Sequence, residues 1–208
     1  MKRIIIALSF LIYLTGTAWA DYESAMAAYG RKDYEAALKE LKPLAEQGEA
    51  KAQNTLGWMY REGQGVAQDS NEAIKWFTKA AEQGFAKSLN NLGIMYEKGV
   101  GVPQDYAAAM KWYQKSSGLG DAAGQNNVGM LYKDGKGVTQ NYGEALTWLR
   151  KAADQGFAKS QYELGSMYEQ GHGVKQDNAE ALKYYQKAAD QGFADAKPKV
   201  EAAKAKTP

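Results

Sequence analysis

His172 is the single histidine of this 208-residue sequence, and cysteine is absent. Most metal and acid–base chemistry is therefore out of easy reach. A zinc-type site draws its ligands chiefly from Cys and His, so one imidazole would need several carboxylates to converge on it. His172 also lies between Gly171 and Gly173, in a slot that elsewhere holds Gln64, Val100 and Lys136. A slot that accepts an amide, an alkyl group, an ammonium and an imidazole reads as a solvated loop position rather than a general base. Ser-x-x-Lys and Gly-x-Ser-x-Gly are both missing, which removes the usual signatures of a nucleophilic serine. Gly135-Lys136 is followed by Gly137, where a phosphate loop needs Ser or Thr. Carboxylates are plentiful, but most fall in cap or helix-surface positions. The expectation is no catalytic residue, no metal site and no cofactor.

What does recur is structural. Leu56 to Val66 reads LGWMYREGQGV, and it returns as LGIMYEKGVGV at Leu92, VGMLYKDGKGV at Val128 and LGSMYEQGHGV at Leu164. Gly57, Gly93, Gly129 and Gly165 are spaced by 36 residues. A fixed period in this range marks a repeat array. In the segment from Ala50, residues Leu56, Gly57 and Tyr60 share one face at helical spacing, with Met59 beside them. Gly63 suits a left-handed helix C-cap, and Gly65 permits a second tight turn. Asp69 with Glu72, Asn141 with Glu144 and Asp177 with Glu180 read as capping boxes, whereas Asp105 meets Ala108 and has half of one. A second helix follows. Ala73, Trp76, Phe77 and Ala80 form its apolar stripe, ending in Lys79, which complements the helix dipole, and Gly84. Each unit is thus a pair of antiparallel helices, here termed A and B.

The ends differ. Lys2 and Arg3, the apolar run Ile4 to Leu14, and Ala18-Trp19-Ala20 form the pattern of a secretory signal peptide over residues 1–20. Its loss would leave 24 basic against 24 acidic residues, a balance that argues against nucleic acid as partner. No other stretch is apolar enough to span a bilayer, so no stable membrane insertion is expected after cleavage. Residues 21–48 read as a shortened, half-type capping unit, because Tyr29 lies only 31 residues before Tyr60. Four full units follow over 49–84, 85–120, 121–156 and 157–192. Residues 193–208 read as a capping helix and tail, with a helix starting at Ala194 and meeting Pro198.

The alternation LGxMYxxGxGVxxD, then AxxWYxKAAxxG, resembles the Sel-one-like repeat family, a relative of tetratricopeptide repeats. The resemblance covers nearly the whole chain after residue 20. It implies an all-α fold, a right-handed superhelical solenoid of helix pairs, serving mainly in contacts between proteins. For exported bacterial members it implies roles in envelope signalling, host interaction or binding of another envelope protein.

Comparing units inside the one chain shows which slots of helix A vary. One ladder is Trp58, Ile94, Met130 and Ser166. A second is Asn54, Asn90, Asn126 and Tyr162. A third is Arg61, Glu97, Lys133 and Glu169. By resemblance to tetratricopeptide arrays these slots line the inner curve. Trp58, Ile94 and Met130 would offer an apolar strip with tryptophan as anchor, although a stripe of that kind also packs between helices. The asparagines would hydrogen-bond a partner's backbone, and Lys51, Lys87 and Lys159 would rim the groove with positive charge. The function expected is a non-enzymatic module of the bacterial envelope, periplasmic or secreted, that captures a segment of another protein or a peptide. The alternatives are an immunity protein against a delivered effector, and a weak hydrolase on envelope or peptidoglycan substrates.

Overall fold

The computed structural model describes residues 21–206, and the segment read as a signal peptide, 1–20, lies outside them. Among the described residues the chain is all helical. The helices are α1 (Tyr22–Gly30), α2 (Tyr34–Glu46), α3 (Ala50–Glu62), α4 (Ser70–Glu82), α5 (Ala86–Lys98), α6 (Tyr106–Gly118), α7 (Ala122–Asp134), α8 (Tyr142–Asp154), α9 (Ala158–Gln170), α10 (Asn178–Asp190) and α11 (Ala196–Lys206). Each packs on its neighbour in sequence, as in an α/α solenoid. The odd-numbered helices are the A helices and the even-numbered ones the B helices.

Two glycines per repeat set two different interfaces. Gly57 packs face-on against its own B helix, and a methyl group there would come 2.7 Å from the Phe77 ring. Gly93, Gly129 and Gly165 meet Tyr113, Leu149 and Tyr185 in the same way. Gly65 is needed twice over. Its φ is +71°, and an added Cβ would lie 2.8 Å from the Tyr34 carbonyl oxygen of the preceding B helix. The loop glycine therefore seats each repeat on the one before it. Around these contacts lie fully buried Leu56, Met59 and Phe77, and their counterparts Leu92, Met95 and Tyr113.

The loop between A and B helices closes differently from the expected capping box. Asp69 caps α4, accepting from the Asn71 and Glu72 amides at 2.9 and 3.0 Å. The reciprocal bond is absent, because the Asp69 N–H donates to the Tyr60 carbonyl at 2.9 Å. Asp105, Asn141 and Asp177 do the same with Tyr96, Tyr132 and Tyr168. Glu72 is left to pair with Lys75 at 2.7 Å. A residue missed in the sequence completes the loop. Gln68, Gln104, Gln140 and Gln176 each donate at 2.8 Å to the carbonyl of Arg61, Glu97, Lys133 and Glu169. They satisfy carbonyls that the end of helix A would leave without a partner.

The terminal units depart from expectation in detail. The stretch 21–48 holds a true helix pair, with α1 of 9 residues against 13 in α3. The tight turn between the paired helices has Lys32 as its left-handed residue, at φ 64°. At the other end, α11 begins at Ala196 rather than Ala194. Pro198 explains the delay, since starting at Ala196 puts it in the first turn, where its missing N–H has no intrahelical acceptor to lose.

Gly57→Ala tests the first interface. Overpacking against Phe77 should cost about 1–3 kcal/mol, read as a lower urea midpoint at unchanged m-value. An unchanged midpoint would mean that the ring yields without penalty.

Candidate partner-binding face

The three variable ladders all lie on helix A, and the structure divides them. The asparagine side-chain oxygens are hydrogen-bonded within the array. Asn54 Oδ1 accepts from Ser88 Oγ and Asn91 Nδ2, both at 2.9 Å. Asn90 Oδ1 accepts from Asn127 at 2.8 Å, and Asn126 Oδ1 from Ser160 at 3.0 Å. Asn126 is 1% exposed. Asn90 and Asn126 are buried and turned to the neighbouring repeat rather than to a partner's backbone, whereas half-buried Asn54 still borders a surface hollow. Adjacent A helices lie side by side, so the slot falls in the seam between repeats and its hydrogen bonds join α3 to α5, α5 to α7 and α7 to α9. Tyr162 replaces the amide with ring contacts, its centroid 5.5 Å from Tyr185 and 5.3 Å from Phe193.

The apolar strip is shared between the core and the surface. Trp58, Ile94 and Met130 are half-buried, each packed against a cluster of buried residues. Trp58 stands edge-on to Phe77 at 6.5 Å, and the Arg61 guanidinium lies 3.4 Å from the centre of its ring. What the strip leaves uncovered lines a succession of hollows along the A helices. Trp58 and Asn54 border one of ≈ 350 Å³ with Lys87 and Phe157. Ile94 and Met130 border another of ≈ 330 Å³ with Lys136 and Lys159. Ser166 and Lys133 border a third of ≈ 360 Å³ with Tyr142 and His172. Of the lysines expected to rim the groove, Lys87 and Lys159 line these hollows, whereas Lys51 lies 5.9 Å over the Tyr22 ring.

The charged ladder carries a pairing that the sequence reading overlooked. Where it holds Glu, the buried aromatic of the same repeat is tyrosine. The Tyr113 hydroxyl donates to Glu97, and the Tyr185 hydroxyl donates to Glu169 at 2.8 Å. Where it holds Arg61 or Lys133, that position is Phe77 or Leu149, with no hydroxyl to satisfy. Lys133 turns to Glu163 at 2.6 Å, and Glu169 also accepts from Lys199 at 2.7 Å. The signal was legible as a covariation at a spacing of 16 residues. Burial, then the Glu97 hydrogen bond and charge, push the Tyr113 hydroxyl well above the usual tyrosine range. Burial and then Glu169 do the same to Tyr185.

His172 is less idle than its slot suggested. Its ring stacks on Tyr142, with centroids 4.5 Å apart and planes 10° from parallel. Lys136 lies over Tyr106 at 5.8 Å, and Gln64 accepts from the Tyr29 hydroxyl at 2.6 Å. The variable loop residue thus leans on the preceding unit, a contact between repeats that no local pattern displays. Among the described residues, no group of three or more His, Cys, Asp or Glu side chains could hold a metal ion. No described helix is long and apolar enough to cross a membrane.

Four consecutive segments, 50–85, 86–121, 122–157 and 158–193, match the Sel1 repeat. The chain belongs to the Sel1 repeat family. Each segment begins one residue later than the corresponding unit of the sequence pattern. A Sel1 repeat protein from Oxalobacter formigenes is 39% identical, with a TM-score of 0.75 over 84% of this chain and 70% of that one. A protective antigen of uropathogenic Escherichia coli with the same fold is 43% identical, at TM-score 0.72 over 76% of this chain. This Sel1 chain spans only 34% of that antigen. An immunity protein from Pseudomonas aeruginosa is 26% identical, at TM-score 0.62 over 83% of this chain and 68% of that one. No curated protein matches the sequence.

The raised tyrosines give a pH signature. Above about pH 10, the unfolded chain releases the phenolic protons that the folded chain retains. The stabilisation is complete below the unfolded value of 10.0 and is lost as pH rises beyond it. Melting temperature followed across that value should fall for the native chain and fall less for Tyr113→Phe/Tyr185→Phe. Parallel curves would exclude the coupling.

Proposed function

We propose that this Sel1 repeat chain is an exported, non-enzymatic scaffold of the bacterial envelope, which holds a segment of another protein along its A helices. The observation carrying this reading is the run of hollows from Trp58 through Ile94 and Met130 to Ser166, edged by Lys87 and Lys159. Hollows that combine apolar side chains such as Trp58, Ile94 and Met130 with lysines, and with Glu97, Asp121 and Asp134 among them, suit an extended segment that brings apolar side chains and charged ones. The basic start, apolar run and Ala18-Trp19-Ala20 of residues 1–20 support export to the periplasm. The half-buried tryptophan, with Arg61 stacked over it, is the natural anchor. Buried Asn90 and Asn126 act indirectly, by joining the A helices that shape the groove, while Asn54 borders it.

A second reading, an immunity protein that neutralises a delivered effector, is favoured by the likeness to the Pseudomonas aeruginosa immunity protein. Both readings use the same groove and differ in the partner. A hydrolase on envelope substrates has less support, since the lone imidazole is stacked on Tyr142 and function must be argued from a site.

Lys87→Glu/Lys159→Glu tests the groove. Both lysines are exposed, so charge reversal should leave the melting temperature within about 1–2 °C. Proteins cross-linked to the native chain in envelope extract should be lost from the variant. An identical set of captured proteins would sink the groove reading. An effector toxin among them would decide for immunity.

A further inference from the structure

The second repeat breaks the internal rules of the array on its B-helix side, and the departures converge on one place. In the other repeats a glutamine pair links the start of helix A to the end of helix B. Gln83 donates to Gln53, Gln155 to Gln125 and Gln191 to Gln161, at 2.7, 2.8 and 2.7 Å. The second repeat has Leu89 and Leu119 in those two positions. Leu89 is buried, but Leu119 is 55% exposed, and among the described residues it is the exposed large apolar side chain. A surface leucine in place of a hydrogen-bonded glutamine brings the fold little burial.

The charges change in the same repeat. Helices α4, α8 and α10 each carry two acidic and two basic residues, for a formal charge of zero. Helix α6 carries Lys111 and Lys115 and no acid, for a formal charge of +2. The acid that pairs with Lys75 or Lys183 in sister repeats, Glu72 or Glu180, is Ala108 here. The acid at the end of the helix, Glu82, Asp154 or Asp190 elsewhere, is Gly118. Sterics do not demand that glycine, because an added Cβ would meet nothing within 4 Å.

Between these substitutions stands Trp112, half-buried, with the Lys115 ammonium 4.6 Å above its ring. Two hollows flank it. One, of ≈ 520 Å³, is bounded by Tyr96, Ala108 and Lys111. The other, of ≈ 500 Å³, is bounded by Leu89, Gly118 and Leu119, with Glu82 of the preceding B helix as its one carboxylate. An apolar surface flanked by two lysines, Lys111 and Lys115, that lack the acids of the sister helices is complementary to carboxylates carried on an apolar segment.

We propose that Trp112, Leu89 and Leu119, flanked by Lys111 and Lys115, form a second docking surface for an acidic segment of a partner protein, which seats apolar side chains on either side of Trp112. This surface is centred on α6, with Leu89 contributed by α5, and none of its residues lines the hollows of the groove along the A helices. A Sel1 array with two such surfaces can hold two chains, or two parts of one chain, at once.

The test uses the repeats' own alternatives. Leu89→Gln/Leu119→Gln restores the pair found three times elsewhere, and Ala108→Glu/Gly118→Asp restores the two acids. Random dodecapeptides displayed on phage are selected on the full chain and counter-selected on L89Q/L119Q. The recovered peptides should be rich in Asp or Glu together with large apolar residues. Calorimetry should show their affinity falling by about tenfold or more on each variant and weakening with added salt. It should be unchanged on Lys87→Glu/Lys159→Glu, which separates this surface from the groove. Thermal melts check folding, and if L89Q/L119Q fails to fold, A108E/G118D alone carries the comparison. Failure to recover any discriminating peptide, recovery of neutral or basic ones, or full affinity on A108E/G118D would each overturn the proposal. So would sedimentation that shows the native chain self-associating and L89Q/L119Q not doing so, since the surface would then serve a second copy.

Discussion

Each repeat depends on the close approach of its A helix to its B helix, and that approach is set by a glycine lying against a ring or a leucine. Gly57 against Phe77, Gly93 against Tyr113, Gly129 against Leu149 and Gly165 against Tyr185 all leave no room for a methyl group. Once the pair is closed at that distance, the rest of the unit follows. The aspartate or asparagine amide after the loop reaches the tyrosine carbonyl of helix A. The loop glutamine can then reach the next carbonyl. A second glycine brings the loop down on the preceding B helix, so the interface inside one repeat and the interface between repeats come from the same short stretch.

Within that frame the repeats differ by coupled exchanges rather than single ones. Phenylalanine or leucine with a cation on helix A trades for tyrosine with a glutamate. A glutamine pair trades for a leucine pair. Ser116 occupies a slot that is Ala80 or Ala152 in other units, and its hydroxyl would lie 2.7 Å from a Cβ at Gly124, where other units carry Ser88 or Ser160. Most of these exchanges keep a buried polar group satisfied or a volume filled, as close packing requires. One exchange does neither. Leu119 stays in solvent, and a residue the fold does not need is the place to look for a partner.

The two faces of the array are built from different materials. On the A-helix side, the apolar strip and the asparagine ladder do structural work first. Surface is left only where the strip's edges and the lysines emerge. On the B-helix side, the tryptophans of α4, α6 and α8 each carry a lysine over the ring at 4.2, 4.6 and 4.2 Å. The lysines read from sequence as complements to the helix dipole therefore also cover the rings, a cation–π contact with a partly desolvated face.

The helices, their glycine ends, the repeat length and the family were all written in the sequence. They depend on local periodicity and on backbone geometry that glycine alone adopts readily. The division of helix A into residues facing the core, the seam and the surface was not. Asn126 and Arg61 both occupy varied slots of an A helix, yet the first is buried in hydrogen bonds to the next repeat and the second stacks on Trp58 at the surface. Which of these happens depends on how neighbouring repeats are offset. That offset comes from contacts such as Gly65 on Tyr34 and His172 on Tyr142, between residues roughly thirty apart. Periodicity reports the spacing within one helix and is silent on the rotation between helices, so only the packed array could show where its open surface lies.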